Sequence, residues 1–246
     1  TGDPGRLPSQ GASSSAAAAE TPQLPTPAEP PRWTTVPPGT AITYQHPVVN
    51  QQIFAQPSGL YLPVLVANGV ADGPTLMLSA GVHGNEYESI AALHDTMAAV
   101  DLQRLRGRIV AVGISHLDAF HANTRVGGED GQNLARVFPG LEDGTLTERV
   151  AFTYCRDFLS QQPDLLVDLH TMGTGNNMCT LCGFNICSDA DDRSDLTERG
   201  RAAARAFSPP LLWGHASDPQ AIGHTVIGTE TSMRASMYGA WLYDVP

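Results

Sequence analysis

His83 and Glu86 stand three positions apart in the run Gly81-Val82-His83-Gly84-Asn85-Glu86, directly after the apolar stretch Thr75-Leu76-Met77-Leu78-Ser79. An imidazole and a carboxylate at that spacing, on the turn between a strand and a helix, can converge on one cation. Gly81 and Gly84 let the backbone bend sharply around the histidine. A second pair has the same kind of position. Leu165-Leu166-Val167-Asp168-Leu169-His170 reads as a buried strand that ends in His170. Asp168 and His170 are two apart and so project from one side of that strand. There the carboxylate can accept the second ring proton of the imidazole and fix its tautomer. A carboxylate inside an otherwise apolar strand is costly unless it is paired. Two histidines and a carboxylate, with water in the fourth position, are a common catalytic zinc set. In open α/β sheets, ligands bind beyond the carboxyl ends of the strands, where both pairs sit. An H-x-x-E alone is a weak signal, and a lone histidine near a strand end is more often structural. The reading therefore rests on the joint placement of His83, Glu86, Asp168 and His170, with one zinc per chain.

Two arginines lie between these pairs, Arg125 and Arg136, in a stretch dense in Gly, Asn and Asp. A guanidinium fork binds a carboxylate bidentately or stabilises a developing oxyanion. Two solvated surface arginines are the alternative. All 14 basic residues of the chain are Arg, and there is no Lys. That excludes a Schiff-base lysine and the lysine of a phosphate-binding loop, and with them pyridoxal-phosphate enzymes and Walker-type nucleotide hydrolases. Anion recognition must run through Arg, backbone N–H groups or a metal. With 25 acidic residues the net charge is −11, so the chain has no general affinity for nucleic acid or anionic membrane surfaces. Ser79 and Ser115 lack the setting of a nucleophile elbow, which argues against a serine hydrolase.

The elements that must position these groups alternate along the chain. Tyr61–Val66, Thr75–Ser79, Arg108–Ile114 and Leu165–Leu169 read as strands, and Glu86–Val100 as a helix with Ile90, Leu93 and Met97 on one face. Residues 117–146 read as one long loop, and Thr147–Ser160 as a helix with Thr147 at its N-cap. Residues 193–207 and Ser232–Tyr243 read as helices. Strands alternating with helices imply an α/β fold: a mixed, mostly parallel sheet flanked by helices on both faces. Residues 1–36, rich in Pro, Ser, Ala and Gly, read as a disordered leader or linker, and residues 37–246 as the folded domain. A βαβ pattern calls for a strand after Ser232–Tyr243, so the chain reads as cut before its final strands.

The four cysteines, Cys155, Cys179, Cys182 and Cys187, do not amount to a disulfide framework in a chain of 246 residues. Cys179 and Cys182 have C-x-x-C spacing, open to a zinc knuckle or redox pair, with free thiols as the plainer reading. No apolar run is long enough to span a membrane and no signal peptide is visible, so the expected compartment is the cytoplasm. His116 and His121 read as surface loop histidines. His46 is read as preceding the first strand, and His94 as lying on the Glu86 helix. His215 and His224, near Gly214 and Gly223, are candidate substrate contacts.

Taken together, Gly81-Val82-His83-Gly84-Asn85-Glu86-Tyr87-Glu88, the run from Asp130 to Gly140 and Asp168-Leu169-His170 resemble the zinc carboxypeptidase superfamily, and within it the succinylglutamate desuccinylase/aspartoacylase branch. The resemblance implies a zinc-dependent deacylase of small N-acylated amino acids or related molecules. It implies His83, Glu86 and His170 as metal ligands, Arg125 as the oxyanion-stabilising arginine, and Arg136 with Asn133 as substrate-binding residues. It also implies a glutamate as general base on the strand after Ser232–Tyr243, beyond Pro246, with Glu230 as the rival within the chain. One departure stands out: where the family reads Asn-Leu-Asn-Arg, this chain reads Asn133-Leu134-Ala135-Arg136, and an amide that helps hold a substrate carboxylate is lost. A carboxypeptidase-like peptidase and a non-catalytic metal-binding protein remain the alternative readings.

Overall fold

The computed structural model describes residues 25–50, 60–173, 179–186 and 194–216, together with Tyr243 and Val245. Five strands make the central sheet: β1 (Thr40–Pro47), β2 (Tyr61–Asn68), β3 (Ala71–Ala80), β4 (Arg106–Val112) and β5 (Leu165–Leu169), in the order β1-β2-β4-β3-β5. The β4-β3-β5 part is parallel, whereas β1 and β2 run antiparallel to their neighbours. The sheet is therefore mixed, and its parallel part brings the carboxyl ends of β3, β4 and β5 to one rim.

Period-two alternation along β3 and β4 sorts the core into two layers. Met77, Val110 and Val112 face one side and pack with Val150 and Tyr154 of helix α3 (Leu146–Asp157) and with Phe158 at its C-cap. Leu78, Ala80 and Ala111 face the other side and pack with Ile90 and Leu93 of helix α1 (Tyr87–Ala98). Met77–Ala80 is buried and Leu165–Leu169 half-buried throughout, and the apolar character this requires is why Thr75–Ser79 and Leu165–Leu169 read as strands.

Several elements differ from the sequence expectation. The stretch 117–146 is not one loop: Leu117–Ala122 forms the short helix α2, and Leu134–Arg136 a 3₁₀ turn. Helix α3 starts two residues earlier than expected. Its N-cap is Thr145, which makes a capping box with Glu148, and this leaves Thr147 inside the helix with its hydroxyl turned to other work. His46 lies within β1, not ahead of it, and meets Asp157 of α3 at 2.7 Å. Trp33, which composition alone places in the leader, is 2% exposed and donates its indole N–H to the Asp157 carbonyl at 3.0 Å. The packed structure thus begins before Thr40. Arg32–Thr35 form a 3₁₀ turn that holds Trp33 in place. A second, two-stranded parallel sheet joins β6 (Leu181–Ile186) and β7 (Leu211–Ala216) through helix α4 (Ser194–Ala206), and neither strand was expected.

Cys155, Cys179 and Cys182 are free thiols, Cys155 fully buried. Cys187, Glu230, His224 and the stretch read as a Ser232–Tyr243 helix lie outside the described residues, apart from Tyr243. Among the described residues, no helix is long and apolar enough to cross a membrane.

Candidate metal centre

Where β3 runs out, Gly81 takes a positive φ of 65° and the chain turns through His83 into α1. Gly84 is required there, because a Cβ would fall 1.9 Å from the Ala119 carbonyl carbon of α2. This close approach buries the turn: His83 is 3% exposed and Glu86 1%. Glu86 stands at the N-cap position of α1, where the positive end of the helix dipole favours a carboxylate. β5 pairs with β3 in parallel register, with Asp168 beside Ser79, and so carries His170 to the same rim.

The three side chains meet. Glu86 Oε1 lies 2.8 Å from His83 Nδ1, and Glu86 Oε2 lies 2.9 Å from His170 Nδ1. The imidazole rings sit with centroids 5.3 Å apart. One donor atom from each of the three residues falls within 4.8 Å of the other two, a group that can hold a metal ion.

The far ring nitrogens show what the cluster is built for. His83 Nε2 lies 3.2 Å from Asn133 Oδ1, an oxygen fixed in place by the Ala135 N–H at 2.9 Å. His170 Nε2 lies 3.1 Å from Asp168 Oδ2. Both oxygens can only accept, so both Nε2 atoms carry their protons. Each Nδ1 then points its lone pair at a Glu86 oxygen that also can only accept. That contact needs a positive centre between the two atoms, either a proton or a cation. Two Nδ1 lone pairs and a carboxylate around one point, with each far nitrogen held by an oxygen, suit a zinc ion.

The electrostatics agree with this crowding. Burial pushes the Glu86 carboxyl up, but its hydrogen bonds to His170 and His83 outweigh that and hold it down at about 2. Burial lowers the His170 imidazole, and the charge of Asp168, followed by its hydrogen bonds to Asp168 and Glu86, reverses this and pushes it up to about 10. The His170 side chain is 36% exposed, so solvent screens part of that effect.

Two guanidiniums approach the same point. Arg125 Nη1 lies 3.6 Å from Glu86 Oε1, with half of its side chain open to solvent. Arg136 is turned onto its own neighbour, donating from Nη1 to the Ala135 carbonyl at 2.7 Å. Its pKa is lowered first by burial and then by the positive charge of Arg125, so the two cations share one space. Asn133, expected as a substrate contact, stands against His83.

Sequence reasoning missed His116. Far from being a surface loop residue, it is 0% exposed, at the exit of β4. The signal available was its position four residues past the apolar end of β4, Ile109–Val112. Ser79 and Ser115 are also fully buried and bond to one another at 3.0 Å, consistent with neither being a nucleophile.

With this geometry in hand, the relatives are informative. Residues 72–240 match the succinylglutamate desuccinylase/aspartoacylase catalytic domain family, and the chain belongs to that family, within the zinc carboxypeptidase-like superfamily. It is 33% identical over 149 residues to an N-alpha-acetyl-L-2,4-diaminobutyric acid deacetylase of Halomonas elongata, a match covering 61% of this chain and 42% of that protein. Among solved structures, the ectoine utilization protein EutE of Ruegeria pomeroyi in a product-bound state superposes with a TM-score of 0.64 at 26% identity, over 86% of this chain and 60% of that one. An aspartoacylase family protein of Mesorhizobium loti superposes with a TM-score of 0.61 at 28% identity, over 73% of this chain and 55% of that one. The chain thus spans about two fifths to three fifths of the length of these relatives.

Proposed function

We propose that this chain carries the zinc-binding and substrate-positioning part of a deacylase that hydrolyses the amide bond of small N-acylated amino acids. The observation that carries the reading is the double orientation of the imidazoles, with both Nδ1 atoms converging on Glu86 while both Nε2 atoms are anchored by oxygens. The names of the relatives, a deacetylase of an N-acetylated diamino acid among them, support the substrate class.

In this reading His83, Glu86 and His170 hold one zinc ion, and Asp168 and Asn133 keep the two rings oriented. Bound zinc supplies Lewis acidity, polarising the scissile carbonyl and acidifying water. Arg125, half exposed and able to swing off Glu86, donates to the oxygen on which negative charge develops. Arg136 receives the carboxylate of the substrate, without the amide that an Asn at position 135 would add. The reaction also calls for a glutamate base to take the proton of the attacking water, and Glu230 is the rival candidate within this chain. The products are a carboxylate and a free amine.

Metal analysis combined with amine release from N-acetyl-L-2,4-diaminobutyrate and N-succinyl-L-glutamate tests the proposal. One zinc per chain, lost in His83→Ala and in His170→Ala, with release of one amine per bond cleaved, is the expected result. Preference for peptides would favour the peptidase reading. Zinc binding with no turnover would favour a non-catalytic metal protein, and folded protein that takes up no zinc would end both.

A further inference from the structure

The loop that presents Arg125 and Asn133 is wound around a buried polar strut that also grips the metal loop. At one end, β4 continues into Ser115 and His116, whose N–H groups donate to the Ala80 and Gly81 carbonyls at 2.8 and 3.0 Å. His116 is thereby sewn to the residues that lead into His83. At the other end, the His116 Nε2 atom lies 3.2 Å from the hydroxyl of Thr147, which is itself fully buried. Thr147 Oγ1 lies 2.8 Å from Asp130 Oδ1.

The donors in this chain can be assigned. Asp130 accepts at both oxygens: Oδ1 from the Gln132 N–H at 3.0 Å and Oδ2 from the Thr147 N–H at 2.8 Å. As a carboxylate it has no proton to give, so the single hydrogen of the Thr147 hydroxyl goes to it. Towards His116 the hydroxyl can then only accept, and the imidazole must carry its proton on Nε2. Burial pushes His116 down to about 4, against the opposing charges of Asp130 and Asp118, and so favours the neutral ring.

The turn that follows Arg125 is built on Asp130. The Gly127 N–H donates to the Gln132 carbonyl at 2.8 Å, and the Gly131 N–H to the Gly127 carbonyl at 3.0 Å. A Cβ on Gly127 would meet Asp130 Oδ1 at 2.5 Å and Thr147 Oγ1 at 3.0 Å. Arg125 enters this turn and Asn133 leaves it, so a shift of Asp130 moves both.

We propose that His116 and Thr147 are positioning residues, a buried strut that sets the height of the arginine loop over the metal loop and so places Arg125 and Asn133 against Glu86 and His83. The proposal rests on the roles given above to Arg125 and Asn133. Its first readout is independent of them: hydrogen exchange of the metal-free protein over residues 125–134. Thr147→Val keeps the shape and removes the relay, Thr147→Ser restores it, and Val150→Ala destabilises the same buried helix without touching the strut.

The expected result is exchange at least about tenfold faster in that segment for Thr147→Val, with wild-type rates in Thr147→Ser and Val150→Ala. Should Thr147→Val not fold, His116→Leu against His116→Gln, whose amide can still donate, carries the same expectation. On an active preparation, Thr147→Val lowers kcat through Arg125 and weakens zinc binding by up to about tenfold through Asn133. Equal exchange in wild type and Thr147→Val, or equal acceleration in Val150→Ala, overturns the strut. Failure of turnover alongside the expected exchange pattern would count against the deacylase reading and leave the strut standing.

Discussion

The two halves of the metal cluster are held in opposite ways. His83 and Glu86 sit in a closed turn, 3% and 1% exposed, between the end of β3 and the backbone of α2. The side chain of His170, just past β5, is 36% exposed and, among the described residues, is hydrogen-bonded to Asp168 and Glu86. The first half is a folded-in feature whose donors cannot move without disturbing the core. The second is the more accessible side chain, and in the proposed zinc site it would be the donor better able to adjust. The buried donors are therefore expected to carry more of the protein's stability than the exposed one.

Substitutions can break that comparison. Glu86→Ala removes the shared acceptor of two imidazoles and opens space in a closed turn. Zinc affinity should fall by more than about a thousandfold, and the chelator-treated protein should lose about 1–3 kcal/mol of stability in urea titrations. His170→Ala should cost as much zinc affinity while destabilising the metal-free protein less than Glu86→Ala does. Equal stability losses in the two variants would erase the distinction. Next in size is Arg125→Ala, which removes one oxyanion donor and should lower kcat by about a hundredfold to a thousandfold, with zinc content unchanged. Asp168→Asn weakens the orientation of His170 and should cost about tenfold to a hundredfold in zinc affinity, measured by competition with a chelator.

The smallest effect concerns pH. His170 is raised from 6.5 to about 10, so its protonated form stabilises the metal-free protein. That contribution is fully present below pH 6.5 and is lost as pH rises towards about 10. Zinc must displace the same proton, so affinity should climb between pH 6.5 and 9 by at most about tenfold per unit, less where solvent screens the shift. A flat profile over that range would mean that His170 is already neutral.

The legible parts of the molecule were those whose cause lies nearby in the chain. The end of β3 is buried and β5 is half-buried along its length; both are largely apolar, so their composition betrays them, and the donors at their ends could be read as a cluster. Strand β1 hides because its inward residues are Tyr44 and His46. Nothing local says that His46 will find Asp157, 111 positions away, across the core. The start of α3 was misjudged because Thr145 and Thr147 compete as caps, and only the reciprocal bond with Glu148 decides between them. His116 was misread for the reason that misled at β1: its partners, Thr147 and Asp130, are brought to it by folding.

X-ray absorption at the zinc edge, on protein reconstituted with one equivalent of zinc, tests the central claim most directly. The account predicts a first shell of nitrogen and oxygen only, at about 2.0–2.2 Å, with the outer scattering of two imidazoles that falls to one in His170→Ala. A first shell containing sulfur at about 2.3 Å would move the metal to Cys179 and Cys182, and would contradict a site at His83, Glu86 and His170.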